Sequence, residues 1–303
     1  MPVVMESLEK RLQATMRGKV VADASLAPYT SFHIGGPAML LAIPADREDL
    51  KIVLAFARTE GLPVHVLGGG SNTLVRDGGF PGVAIHLNAF QALERGDRAV
   101  GAGAGVRVSR LLAFCSREGL AGLEILSGVP GTVGGAVWGN AGAWGGATAD
   151  ALRGVEFVTN AGEERVLARA DIPFRYRASG LPAGSVVVHA TFALAPDDPA
   201  AIRRRISGYL VRRNASQPVE FRSAGSIFKN PSGDYAGRLV ERVGLKGTRI
   251  GNAMISAKHG NYIVNLGGAR AADVLALVAL ARARVLSVTG VELELEIKVV
   301  GDD

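Results

Sequence analysis

Apolar residues recur along this chain with two periods, and the alternation between them lays out a series of short helices and strands. Leu50, Val53, Leu54 and Ala57 fall three and four apart, which predicts a helix from a cap at Asp46 to about Glu60, ended by Gly61 and Pro63. Val108, Leu111, Leu112 and Cys115 repeat the pattern in a helix over about 107–118, and residues 5–17 read as another. Strands are expected at Met39–Ile43, Val64–Leu67, near 83–87 and 98–101, and over Ser185–Leu194. Val155–Val158 and Arg165–Leu167 flank Asn160-Ala161-Gly162 and read as a hairpin. After the Ala195–Pro199 boundary, a helix over about 199–213 turns Ile202, Ile206, Tyr209 and Leu210 inward and five arginines, Arg212 and Arg213 among them, outward. The tail predicts helices near 234–243 and 271–288 and strands near 261–265 and 291–300.

This order implies a glycine-punctuated, β-rich ligand region followed by a compact α+β domain. Length sharpens it: 303 residues suit two domains at about 100–200 residues each. The expected division is 1–196, in lobes of about 20–88 and 89–196, then 197–303. Gly stands at 40 of 303, about twice its usual share of roughly 7%, and the clustering points to backbone approaching a ligand. A net charge of +6 favours anionic partners. Aromatics are only 6% and do not interleave with the basic residues, which argues against nucleic acid. Cys115 is the sole cysteine, so no intrachain disulfide forms. No metal spacing occurs among the five histidines. The N-terminus does not read as a signal peptide, and Val274–Val288, broken by Arg282 and Arg284, reads as a buried helix. A soluble cytoplasmic protein without membrane insertion is expected.

Four segments carry candidate chemistry. Gly68-Gly69-Gly70-Ser71-Asn72, at a strand end, suits a diphosphate nest, or equally a surface turn. GAGAGV at 101–106 lacks the third glycine of a dinucleotide fingerprint and reads as a tight turn. Pro130–Ala136 and Asn140-Ala141-Gly142 permit close approach of a flat ligand or of another backbone. Ser226, in GSIFKNP, is a nucleophile, a proton donor or a turn residue, and no G-x-S-x-G elbow supports a hydrolase.

Taken in order, TSFHIGGPA, LGGGSNTLVRD, GLEILSGVPGTVGGAVWGNAGAWG, FRYRASG, SAGSIFKNP, GLKGTRIGNAMISAKHGNYIVN and ELELEIKVVG resemble the UDP-N-acetylenolpyruvylglucosamine reductases, the MurB family, from about Thr30 to Gly301. The chain looks like the compact form of that family. It departs at His33, at Gly260 and at Ile297, which follows Glu296. The resemblance implies an α+β protein: a two-lobed FAD-binding fold of the vanillyl-alcohol-oxidase/PCMH type, then an α+β substrate-binding domain. It implies non-covalent FAD, NADPH as hydride donor and a UDP-sugar substrate, with no oligomer required.

The resemblance also assigns residues. Arg177 matches the catalytic arginine, Ser226 the proton donor and Glu296 its acidic partner. Gly68, Gly69, Gly70, Ser71, Asn72, Gly131, Thr132, Gly134, Gly135 and Asn140 are the expected cofactor residues. Tyr176, Lys229, Asn230 and His259 are expected at the substrate. Periodicity alone puts Glu292, Glu294 and Glu296 together on a solvent face. A different flavoenzyme of the same fold would have no reason to carry FRYR, GSIFKNP and the terminal acidic strand together. A colourless nucleotide-sugar or nucleic-acid binder is the reading from another class.

Overall fold

The computed structural model describes residues 2–303 and divides into two compact units. The first comprises the residues up to Asp23, Met39–Gly69 and Gly82–Arg212. One of its sheets runs Lys19–Ser25, Pro37–Ile43, Phe80–His86, Val64–Leu67. Its last two strands are parallel, with Val64 opposite Val83 and Leu67 opposite His86. The helix Arg47–Thr59 buries Leu50, Val53, Leu54 and Ala57, the stripe that the apolar period predicts. Asp46 caps it by accepting from the Glu48 and Asp49 amides.

Asp49 is the structural acid of this unit. It is 1% exposed and accepts from the amides of Arg17 at 3.1 Å, Gly18 at 2.7 Å and Ala45 at 3.0 Å. Burial disfavours its charge, yet those three N–H groups and the Arg17 guanidinium hold the carboxyl below its ordinary range. Asp49→Ala leaves donors unanswered and should cost about 2–3 kcal/mol in denaturant unfolding. Because the folded value is depressed, this contribution is full above the unfolded pKa of about 3.9 and is lost as pH falls through the lower folded value. Unfolding midpoints of wild type and variant compared from neutral to acid pH measure both effects.

The second sheet of the unit is antiparallel, in the order Glu164–Ala168, Leu152–Val158, Val186–Ala193, Ala99–Gly103, Leu93–Gly96. Val155 stands opposite Leu167 and Val158 opposite Glu164, so the expected hairpin forms, closed by Thr159–Glu163. The helix Val108–Arg117 buries Val108, Leu111, Leu112 and Cys115. Burial, with Glu124 nearby, pushes the Cys115 thiol up to about 12, which makes it an inert core residue.

The second unit comprises Ala24–Ala38, Gly70–Pro81 and Arg213–Asp303. Phe32, Ile34 and Leu74 share its core with Leu239, Val240, Ile263, Val274 and Leu277. A three-stranded sheet, Arg249–Ile250, Ala253–Ile255 and Ile263–Asn265, packs with the helix Ala271–Thr289. Asp77 anchors the start of that helix by accepting from the Ala271 amide at 2.8 Å and the Ala272 amide at 3.0 Å. Gly290, left-handed at φ 71, ends it.

Three expectations need correction. Of the predicted inward residues of the helix Pro199–Ser216, only Ile202 is buried, and Leu210 is exposed. Ile206 is half-buried against the core, and further on Tyr209 stacks against Trp144 with ring centroids 5.7 Å apart. The helix Ala271–Thr289 is buried along one side only, with Leu286 and Val288 exposed. The final strand shrinks to Lys298–Val300, parallel to Thr73–Val75. Residues 294–296 pair instead with 227–229: the Glu296 amide donates to Ile227 and the Lys229 amide to Glu294, each at 2.8 Å.

Candidate functional site

The glycine segments of the first unit meet at contact distance. A Cβ on Gly69 would stand 2.7 Å from the Gly131 Cα, and one on Gly68 would stand 2.3 Å from Thr132 Oγ1. Gly131 has φ +106, its carbonyl accepts from Val108 at 3.1 Å, and the Val133 amide donates to Val106 at 2.8 Å, so the loop is fixed. Gly134 packs on Ala104, where a Cβ would meet Ala104 Cβ at 2.9 Å, whereas a Cβ on Gly135 would only touch Thr132 Oγ1, at 3.9 Å. Thr132 is 8% exposed, and among the described residues its Oγ1 has no hydrogen-bond partner. A buried hydroxyl that no described residue satisfies, beside two glycine backbones with no room for side chains, fits the diphosphate of a dinucleotide cofactor. Nearby, burial pushes His65 down to about 4. It also lowers His86, against the opposing effect of a hydrogen bond to the Gly68 backbone. Both imidazoles are neutral at physiological pH.

Gly70, Ser71 and Asn72 belong to the second unit. Asn72 supports the chain that carries Glu296: its Nδ2 donates to the Glu296 carbonyl at 3.2 Å, and its own carbonyl accepts from Lys298 at 2.8 Å.

Arg177 belongs to the first unit and lies at a tight turn. The Arg175 amide donates to Ala178 at 2.9 Å and the Ala178 amide to Arg175 at 3.1 Å. Arg177 itself is left-handed at φ 57, a conformation that costs a non-glycine residue on the order of 1–2 kcal/mol. Its guanidinium carbon lies 5.0 Å from the centroid of the Tyr176 ring, and Tyr176 is exposed. Asn140, expected among the cofactor residues, is buried with its amide occupied at both ends. Nδ2 donates to the Arg175 carbonyl at 3.0 Å, and Oδ1 accepts from the Ala149 amide at 3.2 Å.

Ser226 and Glu296 come together in the second unit. Ser226 pairs with Tyr262 and Phe228 with Leu295. The Glu296 amide reaches the carbonyl of Ile227, the residue after Ser226. Asn261, which sequence reasoning missed inside KHGNYIVN, locks this pairing: it is 3% exposed, accepts from the Phe228 amide at 2.9 Å and donates to the Phe228 carbonyl at 2.8 Å. The acidic face breaks from its expected uniformity here. Glu292 and Glu294 are exposed, whereas Glu296 is half-buried. Lys229 pairs with Glu294, and Asn230 Oδ1 accepts from the Ala236 amide at 3.1 Å. His259 lies edge-on to Tyr262, with ring centroids 4.8 Å apart, and accepts at Nδ1 from the Asn261 amide at 3.1 Å. Burial first, and Lys246 second, lower its pKa, so the ring is neutral with Nε2 as donor.

The arginine face of Pro199–Ser216 is not uniformly solvated. Arg205 binds Glu124 at 2.6 Å and Asp197 at 2.6 Å. Arg213, in the second unit, is half-buried beside Tyr262 and has no carboxylate partner among the described residues; burial lowers its pKa. A partly desolvated cation of this kind is a ready anion contact, and periodicity had placed it on a solvent face.

Residues 38–168 match the FAD binding domain family. Residues 217–300 match the C-terminal domain of UDP-N-acetylenolpyruvoylglucosamine reductase. The chain is 47% identical over 300 residues to the UDP-N-acetylenolpyruvoylglucosamine reductase of Geobacter sulfurreducens, covering 98% of this chain and 99% of that protein. The corresponding reductase of Moorella thermoacetica is 44% identical over 298 residues, with 98% and 99% covered. Among solved structures, the UDP-N-acetylenolpyruvylglucosamine reductase of Thermus caldophilus aligns with a TM-score of 0.80 and 42% identity, over 94% of this chain and 100% of that one. BBE-like 1 of Physcomitrella patens shares the fold at 18% identity and a TM-score of 0.50, over 62% of this chain and 44% of that one. The fold is thus the expected α+β arrangement with an FAD-binding fold of the vanillyl-alcohol-oxidase/PCMH type, and the chain belongs to the UDP-N-acetylenolpyruvoylglucosamine reductase family.

Proposed function

We propose that this chain reduces UDP-N-acetylglucosamine enolpyruvate to UDP-N-acetylmuramate with Arg177, Ser226 and Glu296 as its catalytic residues. The family is that of FAD-dependent oxidoreductases using NADPH. When bound, FAD supplies the hydride transfer that links NADPH to the enolpyruvyl double bond. Overall, NADPH and one proton are consumed, and the substrate gains hydrogen at C3 and at C2.

The protein handles the charge and the proton. Hydride arriving at C3 leaves an enolate spread over C2 and the carboxylate. The Arg177 guanidinium grips that carboxylate with two N–H bonds as the charge grows. The Ser226 hydroxyl protonates C2, and Glu296 is its acidic partner. One observation carries this reading: of the three alternating acids, Glu296 alone is half-buried rather than exposed, and its backbone is paired with the residue after Ser226. Tyr176, Lys229, Asn230 and His259 contact the sugar nucleotide. For Lys229 this means exchanging Glu294 for a phosphate.

Residues 1–196 form the FAD-binding region and 197–303 the substrate-binding domain in this reading. Such an enzyme works in the cytoplasm, in peptidoglycan precursor synthesis, and so bears on cell shape and division. Among the described residues no helix is long and apolar enough to cross a membrane.

The test is the absorbance of the purified protein in the yellow flavin bands, then NADPH oxidation with and without the enolpyruvyl sugar nucleotide. A colourless protein, or NADPH oxidation indifferent to that substrate, contradicts the proposal. NADPH and substrate use one cleft in turn, so steady-state rates should show a double-displacement pattern with inhibition by excess substrate. A productive complex holding both at once would refute that sharing.

A further inference from the structure

We infer that Asn140 is a positioning residue that sets the turn carrying Arg177, and so acts on the enolate half of the reaction and not on flavin binding. The inference rests on the catalytic reading of Arg177.

Arg177 is left-handed in a turn whose neighbours are largely exposed, so the turn has little packing of its own to hold it. Besides its own backbone bonds between Arg175 and Ala178, two bonds from outside hold it. The Arg175 carbonyl, at the foot of the turn, accepts from Asn140 Nδ2 at 3.0 Å, and the Ser179 amide beyond the turn donates to the Trp138 carbonyl at 3.1 Å. Asn140 is held in its own place. It is buried and left-handed at φ 42, a conformation that asparagine tolerates, and its Oδ1 accepts from the Ala149 amide at 3.2 Å. The carbonyl of the same residue, Ala149, accepts from Arg169 Nε at 2.9 Å. The Arg169 guanidinium carbon lies 4.9 Å from the centroid of the Phe174 ring, next to Arg175 in sequence. The connections close on themselves: Arg175 to Asn140, to the Ala149 amide, from the Ala149 carbonyl to Arg169, and back to the segment that leads into the turn. A buried amide bonded to backbone at both ends has its orientation fixed by donor and acceptor at once, and here the donor end is committed to the turn.

Asn140→Asp isolates the proposal. It keeps the left-handed conformation and the acceptor for Ala149, but sets a carboxylate oxygen against the Arg175 carbonyl. Flavin content and flavin reduction by NADPH should match wild type, while stopped-flow reoxidation by the enolpyruvyl sugar nucleotide should slow by about 10²-fold, the scale of a misplaced catalytic group. Asn140→Gly, which accepts the same backbone conformation and removes the amide, should show the same split. Combined with Arg177→Lys, neither change should slow reoxidation further than Arg177→Lys alone.

Loss of flavin in both Asn140 variants would overturn the inference and return Asn140 to the cofactor site. Multiplicative effects in the double variants would also overturn it, since Asn140 would then act independently of Arg177. If Arg177→Lys reoxidises normally, the reading of Arg177 fails and this inference with it. If Arg177→Lys is slow while both Asn140 variants are fast, only this inference fails.

Discussion

Ser226→Ala should leave flavin reduction by NADPH at its wild-type rate and slow reoxidation by the enolpyruvyl substrate by about 10²–10⁴-fold, the range of a lost general acid. The hydroxyl is needed only once charge has reached C2, after the NADPH half-reaction is complete. The substitution is also structurally mild. The segment is held by backbone pairing of Ser226 with Tyr262, by Ile227 with Asn261 and Glu296, and by the Asn261 side chain on Phe228, none of which uses the serine hydroxyl. Flavin content and unfolding midpoint should therefore stay near wild type. Ser226→Cys should recover part of the rate, because a thiol also donates a proton. Stopped-flow traces in which Ser226→Ala slows flavin reduction and spares reoxidation would remove the serine from this role.

The elements that could be read from sequence are those in which one face packs along its whole length. In Arg47–Thr59 and Val108–Arg117 every predicted stripe residue is buried, because each helix lies on its own unit's core. The helix Pro199–Ser216 shows the limit. Ile202 is buried and Ile206 packs against the core, whereas Leu210 on the same stripe is exposed: periodicity cannot tell how far along a helix its neighbours extend. The terminal acids show another limit. Period 2 treats Glu292, Glu294 and Glu296 alike, whereas in the fold the segment changes partner, from 227–229 to Thr73–Val75, and Glu296 lies where it changes. Asn261 and Asn140 were hardest to read because each works through distant backbone groups, 33 residues away at Phe228 and 35 at Arg175. The motifs NAG and KHGNYIVN flagged these stretches, but not which atoms they would bind.

Gly69→Val should strip flavin from the protein. A Cβ at that position stands 2.7 Å from a backbone atom, the Gly131 Cα, and the neighbouring loop cannot retreat, since Gly131 and Val133 are bonded to Val108 and Val106. Overpacking of this kind costs about 1–3 kcal/mol. If the cost falls on the cofactor-bound arrangement, flavin affinity drops by about 5- to 150-fold, at roughly 1.4 kcal/mol per tenfold. Gly208→Ala is the control: a Cβ there would point into open space, and alanine favours the helix that contains it. The control should purify yellow with wild-type flavin affinity. Gly69→Val should purify largely colourless and take up added FAD weakly, while its far-ultraviolet spectrum still reports a folded chain. Wild-type flavin content in Gly69→Val, and likewise at Gly134, where a Cβ would stand 2.9 Å from the Ala104 Cβ, would mean that these glycines serve close packing alone and that the flavin is held elsewhere.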